Sequence, residues 1–515
     1  MAASSPPTDP RQEQSLRVLL WLVAVGFFMQ TLDATIVNTA LPAMARSLGE
    51  SPLRMQSVIV AYSLTMAMLI PASGWMADRF GTRRVYVGAI VLFAIGSLLC
   101  ALSPSLSVLV AARVVQGAGG ALLLPVGRLV VLKTFPRERF LQAMSFVAIP
   151  GLIGPLIGPT LGGWLVEVAS WHWIFLINLP VGAVALGLGL YGIDESADPD
   201  HAELDPAGQV LSVVFLGALT YAFIAAGGGW TAPATLTAFA VAAAALALFV
   251  MVERRAARPL VPVDLFRDLA FAAVNFASFA LGFSGYSSLF PFSLFLQQAQ
   301  GWSAAQAGSG IAPVFVVAAT GSLLFGRWAA RFGLRRLMIV GYVLLGVAML
   351  GMSSFTEATP YAVIAPLFAL LGAGLGLSVP ATGAATMAVA PRERSGIASA
   401  TMNALRQSGM TISISLLGTV LATTATASLT TALMNAKVGN AAELASIAIR
   451  RHEMPGGLGI APDTFHAMLA SALARGFSAA ATLAGLFALL AAATLAAAAL
   501  QARRTLPGSA FARKS

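Results

Sequence analysis

Residues 74–84 read GWMADRFGTRR, and a closely similar run, GRWAARFGLRR, stands at 326–336. Two more pairs of matching runs follow in the same order: GAGGALLLP at 117–125 with GAGLGLSVP at 372–380, and PRER at 136–139 with PRER at 391–394. The offset is 252 residues for the first pair and 255 residues for the other two. An ordered repeat of this kind predicts two halves with the same internal topology.

The composition indicates a membrane protein. Of the 515 residues, 58% are hydrophobic and only 10% are charged, whereas a soluble globular protein carries about 25% charged residues. A helix that crosses about 30 Å of hydrocarbon needs about 20 apolar residues. Windows of that size predict fourteen spans: 18–40, 55–76, 85–103, 106–131, 141–164, 171–191, 207–226, 232–252, 270–296, 304–326, 336–354, 361–386, 397–424 and 476–501.

Lysine and arginine are distributed unevenly over the two sides of these spans. With the N-terminus inside, 23 of the 31 basic residues fall on the inner side and six on the outer side. The other two, Arg113 and Arg406, lie within spans. The positive-inside rule therefore predicts that both termini are cytoplasmic. It also explains the net charge of +10 by topology and contact with anionic lipids, so no nucleic-acid partner is expected.

The predicted fold is an all-α polytopic membrane protein with two six-helix halves and two inserted helices. The predicted segments are a cytoplasmic tail (1–17), the first half (18–191), a cytoplasmic loop (192–206), the two extra helices (207–252), a cytoplasmic linker (253–269), the second half (270–501) with an outer loop (427–474), and a cytoplasmic tail (502–515). Parallel halves with a site between them near the midplane are typical of secondary transporters. The single cysteine, Cys100, excludes a disulfide within the chain.

The repeat also shows where the two halves differ. Three polar residues of the first half correspond to apolar residues of the second: Asp78 to Ala330, Arg113 to Phe368, and Gln116 to Leu371. We interpret the shared glycines and prolines as architecture. The polar residues that occur in one half only are the better candidates for chemistry.

Four motifs, in order, resemble the major facilitator superfamily and, within it, the fourteen-span drug:proton antiporter-2 family. They are LDATIVNTALP in span 1, GWMADRFGTRR after span 2, RVVQGAGGALLLPVG in span 4 and GLIGPLIGPTLGGW in span 5. The run WHWIFLINLPVG that follows is also typical of the family. The resemblance implies the major facilitator fold, a bacterial inner-membrane location and an exporter of drug-like compounds driven by the proton motive force.

Asp33 is the only acidic residue that the sequence places deep within a span. An ionisable side chain at the bilayer centre costs roughly 2.5–3.5 kcal/mol on insertion scales, so a function is expected for it. Asp33 and Arg113 each lie about seven residues from the outer end of their span, hence at similar depth, and the resemblance implies that spans 1 and 4 are neighbours. We predict a proton-coupling pair, with Gln30 hydrogen-bonded to Asp33. The alternative is a static pair that only fixes helix packing.

The loop motif after span 2 is predicted to gate the inner side. Its residues are Gly74, Asp78, Arg79, Gly81, Arg83 and Arg84. Gly74 permits a close helix approach, and a carboxylate at Asp78 can cap the positive end of another helix. The family pattern implies that this other helix starts near Ser395 and Gly396. Topology alone explains part of the arginine content of the motif.

The motif of span 5 implies an antiporter. Its residues are Gly154, Gly158, Pro159, Gly162 and Gly163. Glycines spaced four apart share one helix face, which lets two backbones pack closely, and prolines within a span favour a kink. The functional interpretation is a bend at the cavity that favours antiport over leak. Ordinary packing of small residues is the alternative.

Candidate residues for the substrate cavity are polar or aromatic and lie within spans: Gln30, Asn38, Gln116, Phe283, Tyr286 and Arg406. Phe283 and Tyr286 belong to an aromatic stripe over 276–290 with alternating spacings of three and four residues. The stripe predicts either an aromatic wall for flat substrates or an ordinary core or lipid-facing stripe. Arg406 is a candidate either for binding an anionic group or for pairing with backbone carbonyls.

The sequence therefore predicts a proton-coupled exporter of hydrophobic or amphiphilic small molecules, with the substrate, protons and membrane lipids as partners. No cofactor is expected, because the phosphate-binding pattern GxxxxGK[ST] is missing from the sequence and the proton gradient supplies the energy. The four histidines show no ligand spacing, so no metal site is predicted. No nucleophile–base constellation is found, so the protein is not expected to be an enzyme.

Two other functions stay open. An exporter of organic anions with the same fold is favoured by two arginines against one aspartate within the membrane, because that buried charge is net positive when Asp33 is ionised. A non-transporting membrane sensor would bind its ligand without flux. A periplasmic adaptor protein also stays open as a partner.

Overall fold

The computed structural model describes residues 10–135, 137–192, 205–256, 259–391, 394–451, 454–455 and 459–505. Every regular element in these ranges is a helix. Thirteen of the described helices are long and apolar enough to cross a membrane. The remaining predicted span, 171–191, coincides with a shorter apolar helix at Trp173–Gly189. The predicted all-α polytopic fold is confirmed, and counting this shorter helix brings the described spans to the predicted number.

The first half and the extra pair supply ten helices. They are α1 (Pro10–Leu48), α2 (Gln56–Leu69), α3 (Ser73–Phe80), α4 (Thr82–Ala101), α5 (Leu106–Thr134), α6 (Arg137–Val168), α7 (Trp173–Leu176), α8 (Asn178–Gly192), α9 (Pro206–Ala225) and α10 (Pro233–Glu253). A 3₁₀ turn at Ile70–Ala72 separates α2 from α3, since Pro71 lacks the N–H that would continue the α-helix.

The second half supplies the remaining helices. They are α11 (Leu269–Ala280), α12 (Leu289–Leu294), α13 (Ala304–Gly310), α14 (Ala312–Phe332), α15 (Leu334–Met352), α16 (Tyr361–Val389), α17 (Ser395–Asn435), α18 (Ala441–Arg451) and α19 (Pro462–Thr505). Around α12 the span contains two π-helical segments, Leu281–Tyr286 and Phe295–Ala299. Such segments are frequent at functional sites.

The two halves repeat the same helix packing. α4 packs on α5 as α15 packs on α16, and α2 packs on α5 as α14 packs on α16. α1 packs on α6 as α11 packs on α17. The repeat read from the sequence is therefore also a repeat of the structure.

The extra pair lies along the seam between the halves. α9 packs against α2 of the first half and α17 of the second, and α10 packs on α9. Gln209 donates a hydrogen bond to the carbonyl of Met68, just before the 3₁₀ turn. Near the other end of α9, the Thr419 hydroxyl donates to the carbonyl of Phe223 at 2.7 Å. The extra pair thus contacts both halves through α9.

The helices next to the predicted outer loop are longer than the hydropathy windows. α17 continues to Asn435 and α19 begins at Pro462, so helix occupies most of 427–474. Leu429 and Leu433 stay buried there because α18 and α19 pack on α17. Hydropathy falls in this segment, but the apolar contacts continue.

The face at which α1 begins and α19 ends is called the inner face here, after the predicted orientation, and the opposite face is the outer face. Towards the outer face, α1 is hydrogen-bonded to the second half. The Ser293 hydroxyl donates to the carbonyl of Asn38 at 2.6 Å, and Gln297 Nε2 donates to the carbonyl of Thr39 at 3.0 Å. These bonds hold the two halves together on the outer side.

Candidate functional site

Asp33 and Arg113 form a buried ion pair inside the first half. Arg113 Nη1 lies 2.7 Å from Asp33 Oδ2, and the two side chains are 1% and 0% exposed. The residues come from α1 and α5, which contact each other. The predicted pairing is therefore present in the structure, while its role in proton coupling stays a prediction.

Three further polar side chains complete a network around Asp33. Gln116 Nε2 donates to Asp33 Oδ1 at 2.8 Å and to the Ser97 hydroxyl at 2.7 Å. Asn178 Nδ2 lies 3.3 Å from both Asp33 Oδ1 and Ser97 Oγ. Gln116 Oε1 accepts from Arg113 Nη1 at 2.7 Å. Both carboxylate oxygens thus have donors, which a buried charge requires.

Arg113 is also held on its remaining sides. Its Nε donates to the carbonyl of Val58 at 3.3 Å, and its guanidinium carbon lies 4.1 Å from the ring centre of Tyr62. A desolvated cation over an aromatic face gains about 2 kcal/mol. The thiol of Cys100 lies 3.5 Å from Gln116 Oε1. The network, which we call the Asp33 network, is thus enclosed by protein in this conformation.

Small residues bring the helices of the Asp33 network together. A Cβ atom at Gly96 would lie 2.5 Å from the backbone of Gln116, so α4 reaches α5 at this height only because residue 96 is glycine. On the other side, Cβ atoms at Gly154 and Gly158 would collide with the hydroxyls of Thr31 and Thr35. These threonines lie on α1 on either side of Asp33, so the α6 motif supports the turns that carry the carboxylate.

The outer part of the same motif faces the second half. A Cβ atom at Gly163 would collide with the backbone of Ala304, and the Ala305 N–H donates to Glu167 Oε1 at 2.9 Å. The close packing predicted for the motif is present: Gly162 meets the backbone of α1 and Pro159 meets Gly308. α6 runs unbroken from Arg137 to Val168, and the bend that favours antiport stays a prediction.

Gln30 does not make its predicted hydrogen bond to Asp33, and Asn38 bonds to its own helix. Gln30 Nε2 lies 3.9 Å from the sulfur of Met66 and does not bond to Asp33. The oxygens of the Asp33 carboxylate already accept hydrogen bonds from Arg113, Gln116 and Asn178. The Asn38 amide donates to carbonyls of its own helix, at residues 34 and 35. The side chain is buried in this conformation, and its role in the substrate cavity stays a prediction. The backbone carbonyl of Asn38 makes its contact with the second half.

The aromatic stripe of span 9 is mainly core. Phe283 is 2% exposed and stacks on Phe487 of α19 at 4.3 Å between ring centres. Phe276 and Phe279 pack on the same ring at 5.6 and 5.9 Å. In this conformation Phe283 therefore belongs to the core of the second half, and its assignment to the substrate cavity stays a prediction.

Tyr286 and Arg406 contact each other in the second half. Arg406 Nη2 donates to Asn403 Oδ1 at 2.9 Å, and its guanidinium carbon lies 5.5 Å from the ring centre of Tyr286. The helix that carries Arg406, α17, packs against α2 of the first half. The role of Arg406 in binding an anionic group stays a prediction.

The gating motif lies at the inner face. Asp78 Oδ1 lies 3.0 Å from Nζ of Lys133 on α5, and Arg79 stacks on Trp75 at 5.2 Å. Gly81 has a φ of +91°, a conformation that disfavours residues with a Cβ. Arg83 and Arg84 follow in the first turn of α4.

Gly74 behaves differently from its prediction. A Cβ atom there would meet no atom of the described residues within 4 Å, so none of the described helices approaches Gly74 closely in this conformation. The same holds at Gly396, near the predicted partner of Asp78. The contact of Asp78 with Ser395 and Gly396 stays a prediction.

Three residues of the site were not predicted from the sequence: Tyr62, Ser97 and Asn178. Asn178 stands alone in the apolar run IFLINLPVG, and this isolated amide was a readable signal. A single serine or tyrosine in a span carries no such signal. Glu253 was also missed: it is 3% exposed at the end of α10, where its carboxylate accepts from the Val261 N–H at 3.1 Å.

Among the described residues, no group of three or more His, Cys, Asp or Glu side chains could hold a metal ion. The charged groups of the site are the buried carboxyl group of Asp33 and the arginines Arg113 and Arg406, one from each half.

Comparison with known proteins agrees with this architecture. A relative named as a multidrug resistance protein, MdtD, from Serratia proteamaculans is 46% identical over 348 residues, covering 65% of this chain and 72% of that protein. The protein of the same name from Escherichia coli O157:H7 is 45% identical over 347 residues, covering 67% of this chain and 73% of that protein. Both names give the multidrug role as provisional.

Solved structures share the fold at low identity. A bacterial homologue of the human lysosomal transporter Spinster, inward-facing and unoccupied, superposes with a TM-score of 0.62 at 19% identity, over 96% of this chain and 99% of that one. The human organic anion transporter MFSD10 gives a TM-score of 0.58 at 15% identity, over 95% and 100% of the two chains. The model of the Major Facilitator Superfamily matches residues 23–414. With two repeated halves, an extra helix pair, relatives named as multidrug resistance proteins and a family model over most of its length, this chain is a multi-pass membrane transporter, not an enzyme, and belongs to the Major Facilitator Superfamily.

Proposed function

We propose that the protein exports hydrophobic or amphiphilic small molecules across the bacterial inner membrane in exchange for protons, with both termini in the cytoplasm. The observation that supports this most directly is the Asp33 network. A carboxylate held by Arg113, Gln116 and Asn178 within a membrane span is a group that can carry a proton.

The contacts of the Asp33 network give protonation a structural effect. Burial favours the neutral form of a carboxyl group, and a neighbouring cation favours the charged form. When Asp33 takes a proton, its attraction to Arg113 falls and one of its oxygens becomes a donor. The network then has to rearrange, because its donors converge on a carboxylate that has lost its charge.

This rearrangement has a short route to the contacts between the halves. Asn38 and Thr39, whose carbonyls bind Ser293 and Gln297, lie five and six residues after Asp33 on α1, about 8 Å along the helix. A shift of α1 at Asp33 therefore acts on the outer closure. In the proposed cycle, a proton from outside reaches Asp33 when the outer side opens, and it leaves when the inner side opens.

The available energy suffices for export. One pH unit is worth about 1.4 kcal/mol per proton, and 100 mV adds about 2.3 kcal/mol per net charge moved. Together these sustain a gradient of a few hundredfold for each proton exchanged. A substrate that enters between the halves from the cytoplasm or the inner leaflet is then moved against its gradient.

The test is flux in proteoliposomes under an imposed pH gradient, comparing the native protein with Asp33→Asn. We expect the variant to bind substrate and to lose gradient-driven flux. The matched control is Asp264→Asn, which removes an exposed carboxylate 2.6 Å from Arg394, and we expect it to keep the flux. Full gradient-driven flux in Asp33→Asn would refute the coupling role, and binding without any flux in the native protein would favour a sensor.

A further inference from the structure

Two carboxyl groups meet at the inner end of the extra helix pair. Asp205 caps the start of α9, and Glu253 is the last residue of α10. A Cβ atom at Gly208 would lie 2.5 Å from Glu253 Oε1 and 2.6 Å from Asp205 Oδ2. Both oxygens therefore border the same small space beside Gly208, and the gap between them is at most the sum of these two distances.

Each of these two oxygens lacks a hydrogen-bond donor. The other oxygen of each group has one: Asp205 Oδ1 accepts from the Gly208 N–H at 2.9 Å, and Glu253 Oε2 accepts from the Val261 N–H at 3.1 Å. Asp205 Oδ2 and Glu253 Oε1 are buried and have no hydrogen-bond partner among the described residues. The whole side chain of Glu253 is 3% exposed. Two facing carboxylates without a donor between them are costly, because each is desolvated and their charges repel.

The described residues bring no cation to these oxygens. α9 and α2 carry no charged residue, and α17 carries only Arg406, whose guanidinium group donates to Asn403. The described charged side chains of the linker between α10 and α11 are exposed to solvent: Arg254, Arg255, Asp264, Arg267 and Asp268. The charge that acts on Glu253 is the negative charge of Asp205.

We propose that Asp205 and Glu253 form a binding site for one proton, which their two facing oxygens share in an O–H···O hydrogen bond. The proton comes from water at the inner face. It supplies the missing donor and removes one of the two negative charges, so that a neutral carboxyl group donates to a carboxylate. A metal ion fits less well, because hard cations take six or more oxygen ligands, and the described residues hold no cluster of three ligating side chains.

The helix dipoles assign the proton to Glu253. Asp205 lies at the N-terminus of α9, where the dipole favours a negative charge, whereas Glu253 lies at the C-terminus of α10, where it disfavours one. Glu253 is therefore the donor and Asp205 the charged acceptor. Asp205 Oδ1 then keeps its bond to the Gly208 N–H, and Glu253 Oε2 keeps its bond to the Val261 N–H.

The bound proton joins three parts of the chain. Glu253 holds Val261 of the linker, which continues through a 3₁₀ turn at Val263–Arg267 into α11 of the second half. Gln209, next to Gly208, donates to the carbonyl of Met68 in the first half. When the proton is lost, two facing negative charges separate α9 from α10 and the linker. This site responds to the pH at the inner face and is distinct from the Asp33 network, so the inference does not depend on the proposed export function.

The first experiment is infrared spectroscopy of the full-length protein in nanodiscs, recorded from about pH 5 to about pH 9, where an exposed glutamate is ionised. We expect the native protein to show the C=O band of a protonated carboxyl group at neutral pH, and Glu253→Gln to lack it. Asp205→Asn should lower the pH at which this band disappears by about one unit or more, because the neighbouring charge is gone. The matched control is Glu443→Gln on α18, which removes an exposed glutamate and should keep the band.

The second experiment is hydrogen exchange of the linker, measured by mass spectrometry and corrected for the intrinsic effect of pH on the exchange rate. In the native protein, the protection of the Val261 N–H should fall over the pH range in which the band disappears. Glu253→Gln should keep this protection at every pH, because a glutamine amide can donate to Asp205 and accept from Val261 as the protonated glutamate does.

Two results overturn the inference. One is the same carboxyl band in the native protein and in Glu253→Gln, or a native band that disappears in the ordinary range of an exposed glutamate. The other is a band that sodium, potassium or calcium chloride removes at constant pH while choline chloride does not, since the site then binds a metal ion. If Glu253→Gln does not fold, the titrations of the native protein and of Asp205→Asn decide, and equal midpoints in these two overturn the inference.

Discussion

The repeated helices α5 and α16 fill equivalent positions in two different ways. In α5, Arg113 and Gln116 belong to the Asp33 network. In α16, Phe368 and Leu371 are fully buried in an apolar core, and the ring of Phe368 lies 4.8 Å from that of Phe292. One half places charge where the other places hydrocarbon, within the same helix packing.

The shared glycines, in contrast, make the same kind of contact in both halves. A Cβ atom at Gly119 would lie 2.5 Å from the backbone nitrogen of Phe93, and one at Gly374 would lie 2.8 Å from that of Leu345. Both halves therefore need glycine where the third and fourth spans cross. The comparison teaches that the fold depends on the glycines and can be built without the charges, so a charged network that is costly to bury is expected to be kept for function.

The largest expected effect comes from giving the first half the residues of the second. Arg113→Phe alone leaves Asp33 buried without its cation, and we expect a loss of about 3–5 kcal/mol in the free energy of unfolding. The triple variant Asp33→Leu, Arg113→Phe and Gln116→Leu should recover most of this stability and show no gradient-driven flux. Denaturant unfolding followed by tryptophan fluorescence, together with proteoliposome flux, measures both.

Both parts of this prediction, the stability and the flux of the triple variant, can be contradicted. A triple variant that folds and keeps its flux shows that the network does not couple transport to protons. A triple variant as unstable as Arg113→Phe shows that the first half depends on these charges for folding, and then the comparison with α16 breaks.

The second effect concerns the glycines that both halves share. We expect Gly119→Ala and Gly374→Ala to lower the free energy of unfolding by similar amounts, about 1–3 kcal/mol each, because each methyl group meets backbone. Gly88→Ala on α4 is the control, since a Cβ atom there meets nothing within 4 Å. A cost confined to one half would contradict the equivalence of the two crossings.

The third effect separates the ring of Tyr62 from its hydroxyl. The hydroxyl is buried and has no hydrogen-bond partner among the described residues, whereas the ring lies under Arg113. Tyr62→Phe should therefore change the free energy of unfolding by less than about 1 kcal/mol, and Tyr62→Leu should cost about 2 kcal/mol. Val314 is the counterpart of Tyr62 in the second half, because a Cβ atom at Gly372 would meet the backbone of Val314 as one at Gly117 would meet that of Tyr62. Val314→Leu therefore serves as the control at an equivalent position without a cation.

The smallest effect on stability is expected at the gating motif. Asp78 and Lys133 are 36% and 31% exposed, and pairs of this kind contribute about 0–1 kcal/mol. Asp78→Ala, which copies Ala330, should leave the unfolding curve almost unchanged and lower the flux. Lys133→Ala should match it in stability. If the flux of Asp78→Ala equals that of the native protein, the predicted gating role is lost.

The sequence was sufficient for the fold because membrane helices carry a long apolar signal and the repeat fixes their grouping. It was also sufficient for the pairing of Asp33 with Arg113, since both are rare charges at equal depth. It was insufficient for Gln30 and Phe283, because the direction of a side chain around its helix depends on neighbours that are distant in sequence. Gln116 and Asn178 donate the hydrogen bonds to the Asp33 carboxylate that were predicted for Gln30. The ring of Phe487 holds Phe283 in the core.

Cys100 is the one cysteine of the chain, and it is fully buried beside Gln116. A thiol reagent therefore meets no reactive group in this conformation, and reporter cysteines can be introduced elsewhere without removing the native one. Replacing Cys100 by serine would place a stronger hydrogen-bonding group against Gln116 and disturb the behaviour under study. The alkylation rate of the native thiol during turnover measures how often the space next to Gln116 and Arg113 opens to a reagent dissolved in water.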